Sequence, residues 1–365
     1  MMKYVHEFNT KIVYGMSVEN HNHISRKKNV YAVSKSFKKY LKRYGREIQL
    51  PISYESLRHF QGAMPCYNKN GEDTLWETVF YHQSLTREIH HALIRIYSLI
   101  KAAGANQAED HLHVERIDFC VFGNSQPFRV KVVNNYNDVY SYLYIKKADA
   151  SRILGLELEH LLSPYYINYL VDNDTLIEEH IAGVPGDMFI DGFLHRPDFN
   201  PIRIAKEFVK FNERCFARLL GDMRSYNFVF DITQDFDDVQ FCIRAIDFDQ
   251  QSYEGRKNFY LPQFFKENRV FVQLVQQHLN AEVIEQYRQE ERAQLFKRIK
   301  SQRHRLGDLK ASVDKDELAP PEKIKQLAQE LAQYFGNEKF LKCDSMAEIL
   351  RIHLRELVVI HLYKT

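Results

Sequence analysis

The most constraining feature of the sequence is a polar turn between a helical run and an apolar one: Leu219-Leu220-Gly221-Asp222-Met223-Arg224-Ser225-Tyr226-Asn227-Phe228-Val229-Phe230. Residues 201–218 predict a helix, Gly221-Asp222 turns the chain out of it, and Asn227, five positions after Asp222, opens an apolar strand. A polar stretch from Gln234 to Asp238 leads into a second strand ending in Ile246-Asp247-Phe248-Asp249. A hairpin over 227–233 and 239–247 would put Asn227 and Asp247 at neighbouring strand ends, with Asp222 just ahead of them.

Those residue types suit one chemistry. Phosphoryl transfer from a nucleotide needs a carboxylate to orient or deprotonate the attacking hydroxyl, and hard oxygen ligands to hold Mg²⁺ against the phosphates. Asp222 fits the first role, and Asn227 with Asp247 the second. Taken singly, each has a structural reading: an Asp before a strand and an Asn in a turn often satisfy local backbone groups. Arg224 and Asp249 read equally as site contacts or as structural ion pairs.

Upstream, residues 114–147 predict three strands, at Val114 to Phe122, Phe128 to Val133 and Tyr140 to Lys146, with turn residues between them. A helix over 148–162 follows, then two strands, Tyr166 to Val171 and Thr175 to Ile181, split by Asp172-Asn173-Asp174. Before this block, residues 52–72 read as loop. A long helix then starts at Asp73 or Thr74, with Trp76, Val79, Phe80, Leu85, Ile89, Leu93, Ile96 and Leu99 at three- and four-residue steps and Gly104 as its stop.

The central turn resembles the catalytic loop and metal-binding aspartate of the protein-kinase-like superfamily. Its Asp-x-x-x-x-Asn spacing is met by Asp222 and Asn227, and its strand-borne aspartate by Asp247. GDMRSYNFVF and AIDFDQ look like the corresponding segments of the isocitrate dehydrogenase kinase/phosphatase family; aminoglycoside phosphotransferases and choline kinases share the more general pattern. Two positions depart from it. Leu220-Gly221 stands where His or His-Arg is common, and Asp247-Phe248-Asp249 replaces Asp-Phe-Gly.

The resemblance implies an α+β, bilobal kinase-like fold with a mainly helical N-terminal region: an extension over 1–110, an N-lobe over 111–182 and a helical C-lobe over 183–365. It implies ATP and Mg²⁺ as cofactors and Asp222 and Lys146 as catalytic residues. Lys146 on the third strand would meet the nucleotide phosphates, held by Glu159 or Glu157 from the next helix, with Lys131 as the alternative lysine. Lys147 points to the opposite strand face. The stretch through Glu179 and Ile181 would be the adenine-binding hinge. Gly123-Asn124-Ser125-Gln126-Pro127 is the phosphate-covering loop, and it offers one glycine. That poor loop keeps a second expectation open, a catalytically weak pseudokinase used as a binding or regulatory module.

Composition narrows the partners. Lys+Arg 50 against Asp+Glu 48 gives a net charge of +2, so bulk charge argues for neither nucleic acid nor membrane. The basic stretch at 26–46 reads as a solvated helix face. His21 and His23, His90 and His91, and His111 and His113 lack companion ligands for a metal site. The five cysteines are widely spaced and read as reduced thiols, mostly core. Without an apolar leader or an 18-residue apolar run, the expectation is a cytoplasmic protein acting on a nucleotide and on a hydroxyl of a protein or small molecule.

Overall fold

The computed structural model describes residues 28–360 apart from 69, 102–109, 123–124, 195, 197–198 and 236–237. The covering loop at Gly123-Asn124, the helix stop at Gly104, and Arg26, Lys27, His21 and His23 therefore lie outside the described residues. The chain forms two compact units. The first holds residues 28–30, Lys38–Asp149 and Ile167–His180; the second holds Tyr31–Phe37, Ala150–Tyr166 and residues 181–360. Helix α1 (Lys35–Arg43) carries the chain from one to the other. Phe37, Tyr40 and Leu41 are buried while Lys35, Lys39, Lys42 and Arg43 are exposed, the arrangement expected of a solvated basic face.

The first unit continues with α2 (Tyr54–Leu57), β1 (Gly62–Tyr67), β2 (Asp73–Phe80) and α3 (Gln83–Lys101). Strands β3 (Leu112–Cys120), β4 (Phe128–Asn134), β5 (Tyr140–Lys147), β6 (Tyr169–Asp172) and β7 (Thr175–Glu179) complete it. All join one antiparallel sheet of seven strands in the order β1-β2-β3-β4-β5-β7-β6. Alternation along each strand sends one set of side chains toward α3. Phe119, Phe128, Val130, Val132, Leu143, Ile145 and Ile177 share a core with Ile89, Leu93, Ile96 and Ile100 of that helix. Val114 and Ile117 would fall on opposite faces of a regular strand, and a bulge between Val114 and Arg116 lets both enter that core. The rim strand β1 leaves Ala63, Met64, Pro65 and Tyr67 exposed.

This corrects the expected mainly helical N-terminal region. Residues 52–72 contain α2 and β1 rather than a plain loop, and 73–80 is a strand; the helix starts at Gln83. Trp76, Val79 and Phe80 do fall at helical steps. Thr74, Trp76, Thr78 and Val79 are also strand formers, and antiparallel pairing with Gly62–Tyr67 decides between the two. The hairpin extends the sheet that β3 to β7 build, so residues 62–80 belong with it. The expected strands at 114–147 and 166–181 and the helix at 148–162 form within a few residues of their predicted bounds.

The second unit opens with α4 (Ala150–Leu162), β8 (Val184–Pro185), α5 (Gly186–Gly192) and α6 (Pro201–Arg218). Hairpin β9 (Phe228–Asp235) and β10 (Asp238–Ala245) follows, then α7 (Arg269–His278), α8 (Ala281–Ser301), α9 (Arg303–Val313), α10 (Pro321–Phe335) and α11 (Met346–Leu354). The hairpin adds β8 to make a sheet of order β10-β9-β8. Asn200 caps α6 by accepting from the Ile202 and Arg203 amides, with Pro201 in its first turn. Phe208, Phe228, Phe230 and Phe271 pack ring to ring behind the hairpin, joined by Phe189, which stacks on Phe230. Phe189 and Tyr260 are fully buried, whereas Phe264 is exposed. No helix among the described residues is long and apolar enough to cross a membrane.

Candidate functional site

The turn at 219–227 gets its shape from the end of α6. Leu219 caps that helix in the left-handed conformation, its N–H reaching the Cys215 and Phe216 carbonyls. Leu220 then bridges to Gln251, and the Gly221 N–H donates to the Gln250 carbonyl at 3.2 Å. A Cβ on Gly221 would lie 2.9 Å from the Phe259 ring and 3.1 Å from the Gln250 carbonyl, so a side chain there meets backbone as well as ring. Asp222 is itself left-handed, at φ 57°, a conformation costly for a residue with a Cβ and one that clusters at functional sites.

Asn227 closes the loop. Its Nδ2 donates to the Asp222 carbonyl at 2.7 Å, its N–H to the Arg224 carbonyl at 2.8 Å, and its own carbonyl accepts from Ile246 at 3.0 Å. The amide oxygen Oδ1 is the Asn227 side-chain atom suited to a cation. Since Ala245 pairs with Phe228, Asp247 falls at the neighbouring strand end, as the hairpin reading expects. Its Oδ1 accepts from the Asp249 N–H at 3.1 Å.

Charge is dense around the turn. Asp222 Oδ1 accepts from Arg224 Nε at 2.8 Å, and Arg224 Nη1 donates to Glu267 Oε1 at 2.7 Å. Burial pushes the Asp222 carboxyl up to about 6; the Arg224 hydrogen bond and charge work against this, and the Asp247 and Glu267 carboxylates add to it. Their effect on Asp222 puts both carboxylates in its electrostatic neighbourhood. Burial likewise pushes the half-exposed Tyr226 phenol up to about 12. Asp249 pairs with the buried Arg152 of α4, and Asp247 lies 3.8 Å from the same guanidinium. The two residues whose roles the sequence left open are thus both ion-paired, Arg224 directly to Asp222.

Helix α4 is moored to the segment after β10 that carries Asp247. Besides Arg152, Ser151 Oγ donates to the Gln251 carbonyl at 2.5 Å, and Gln251 Nε2 reaches the Arg218 carbonyl at 2.5 Å. Gly155 makes the approach possible: a Cβ there would lie 3.0 Å from Phe248 Cβ and 3.1 Å from Gln251 Cβ. Glu159, the expected lysine partner, accepts from the buried Arg218, and Glu157 pairs with Arg305 at 2.7 Å. Both glutamates are buried, each on a different arginine.

The remaining predicted residues belong to the first unit or follow it. Lys146 is buried on β5 and its Nζ donates to Glu178 at 2.6 Å. Glu179 accepts from Lys101 at 2.5 Å, and Ile181 is half-buried in the stretch before β8. Lys131, the alternative lysine, pairs with Glu115 at 2.8 Å. The structure brings Asp222, Asn227 and Asp247 together within the second unit. It adds Arg152, Glu267 and Asn268, which no motif flags because they lie tens of residues away in the chain. Among the described residues, no group of three or more His, Cys, Asp or Glu side chains is arranged to hold a metal ion. None of the five cysteines is in a disulfide; four are buried and Cys242 is half-buried. The chain matches no family model, and no curated protein matches it either.

Proposed function

We propose that the chain is an ATP- and Mg²⁺-dependent, kinase-like phosphotransferase acting on a hydroxyl of a protein or small molecule. The observation that carries this reading is the turn in which Asn227 Nδ2 is bonded to the Asp222 carbonyl while Asp222 and Asp247 stand in one electrostatic neighbourhood. The order of three strands, a helix and two strands, with the strands in one antiparallel sheet, supports the same fold family and a bilobal arrangement. Lys146, Glu179 and Ile181 keep the nucleotide-binding roles that the resemblance implies, whereas Glu159, the expected partner of Lys146, is taken by Arg218.

The donor set fits magnesium. Asn227 Oδ1 and the Asp247 carboxylate are hard oxygens, and Mg²⁺ is commonly held by one or two such ligands with phosphate oxygens and water making up the rest. Bound Mg·ATP supplies the phosphoryl group and neutralises charge as it transfers. Asp222 orients the acceptor hydroxyl and takes its proton as the new O–P bond forms and the bond from the γ-phosphorus to ADP breaks. A carboxyl pushed up to about 6 is mostly ionised at neutral pH, yet basic enough to accept that proton.

Asp222→Asn should lower phosphotransfer from labelled ATP by roughly 100-fold or more. An unchanged rate in that variant would sink the reading. One observation favours a second reading, the pseudokinase: Asp222 Oδ1 is already engaged by Arg224. A wild-type protein that binds Mg·ATP without turning it over would bear that out.

A further inference from the structure

Glu267 and Asn268 lie far from the motif in sequence, yet they hold the turn that carries Asp222. Asn268 is fully buried, and its Nδ2 donates to the Met223 carbonyl at 2.8 Å and to the Pro262 carbonyl at 2.7 Å. Glu267 takes Arg224 Nη1 at 2.7 Å, while Arg224 Nε holds Asp222 Oδ1 at 2.8 Å. Phe265 lies under the same guanidinium, 5.1 Å from ring centroid to Cζ. An arginine held by one carboxylate alone can swing about that contact. With a second carboxylate on another nitrogen and an aromatic face beneath, its plane is fixed.

Stability by itself does not account for Glu267. Its Oε2 is buried and has no hydrogen-bond partner among the described residues, and its charge adds repulsion at Asp222. A buried unsatisfied oxygen calls for an explanation. We infer that Glu267 is a positioning residue for the transfer step: it fixes the Arg224 plane, so that Arg224 engages Asp222 through Oδ1 and leaves Oδ2 for the acceptor proton. This rests on the reading of Asp222 as the base of a phosphotransferase. The two Arg224 contacts and the Asn268 anchor make the segment 262–268 part of the working site rather than a connector.

The test uses the full chain with Mg·ATP and water as acceptor, so that no acceptor need be identified. Release of phosphate is followed for wild type, Glu267→Gln, Glu267→Asp and Asp222→Asn, with melting curves for each. The expected result for Glu267→Gln is a fall in kcat of roughly 10- to 100-fold with KM for ATP within about twofold of wild type, since misplacement acts on the transfer and not on nucleotide binding. Glu267→Asp, which keeps the charge, should recover part of kcat. Should Glu267→Gln fail to fold, the Glu267→Asp kcat alone decides, expected several-fold below wild type. A kcat within twofold of wild type in the folded variants, or a loss confined to KM, overturns the positioning role while leaving Asp222 in place. If wild type releases no more phosphate than Asp222→Asn, the phosphotransferase reading fails and the positioning role with it.

Discussion

At the scale of single residues, the candidate site is built around a carboxylate held out of water, with two further carboxylates adding to the strain on its charge. Asp222 shows the cost. Its folded carboxyl sits at about 6, above the 3.8 of an unperturbed Asp, with burial the main cause. The unfolded chain therefore gives up its proton first, and the stability tied to protonated Asp222 is full below about pH 4 and lost as pH rises through about 6. The loss amounts to up to roughly 3 kcal/mol. Urea midpoints between pH 4 and 7 should show that this component disappears in Asp222→Asn, leaving the variant more stable relative to wild type at pH 7 than at pH 4. The motif residues were legible because a five-residue turn is a local object, closed by Asn227 on the Asp222 carbonyl. Arg224 was visible in the same string, but its second partner was not. Glu267 lies on a different short helical turn, and only the fold brings it to the guanidinium.

Among the elements, the clearest lesson concerns periodicity. Residues 114–147 read correctly as three strands because polar turns separate them and, among the described residues, a single bulge interrupts the alternation. Residues 73–80 misled because Trp76, Val79 and Phe80 share a three- and four-step pattern with the true helix that starts seven residues after Trp76, at Gln83. A pairing partner at 62–67 settles the matter, and a window of sequence does not contain that information. Further along, α6 and α8 are joined by buried ion pairs, Arg214 with Glu291 at 3.1 Å and Arg292 with Glu213 at 2.7 Å. Helix α11 docks nearby through His353, whose Nε2 lies 2.7 Å from the Phe216 carbonyl and donates to it. Burial pushes this imidazole down to about 4. Its contribution to stability is thus present above about 6.5 and lost as pH falls toward 4, the unfolded histidine taking up the proton first. Acid-induced loss of up to roughly 3 kcal/mol is expected over that window, and chemical denaturation of His353→Leu should show a flatter pH dependence there.

For the molecule as a whole, the decisive quantity is linkage between nucleotide and folding. If Asn227 and Asp247 hold Mg·ATP, the ligand at 100 times its Kd should stabilise the chain by about 2.7 kcal/mol. Thermal melting with ATP and magnesium together should therefore rise in wild type and in Asp222→Asn, and much less in Asp247→Asn. A rise that survives Asp247→Asn would place the metal elsewhere. A block of strands followed by a helix-rich stretch made the mixed α and β class legible. The size of the sheet was not legible, because the hairpin that widens it to seven strands lay in a region expected to be helical. Among the described residues, that hairpin also gives the sheet its outer margin. A strand at a margin offers unpaired backbone groups to any passing chain, and β1 sets exposed Met64 and Tyr67 beside them, which invites self-association. Pro65, in the middle of that strand, has no N–H to offer a newcomer, so the margin resists templating further strands at the point where its side chains are most adhesive.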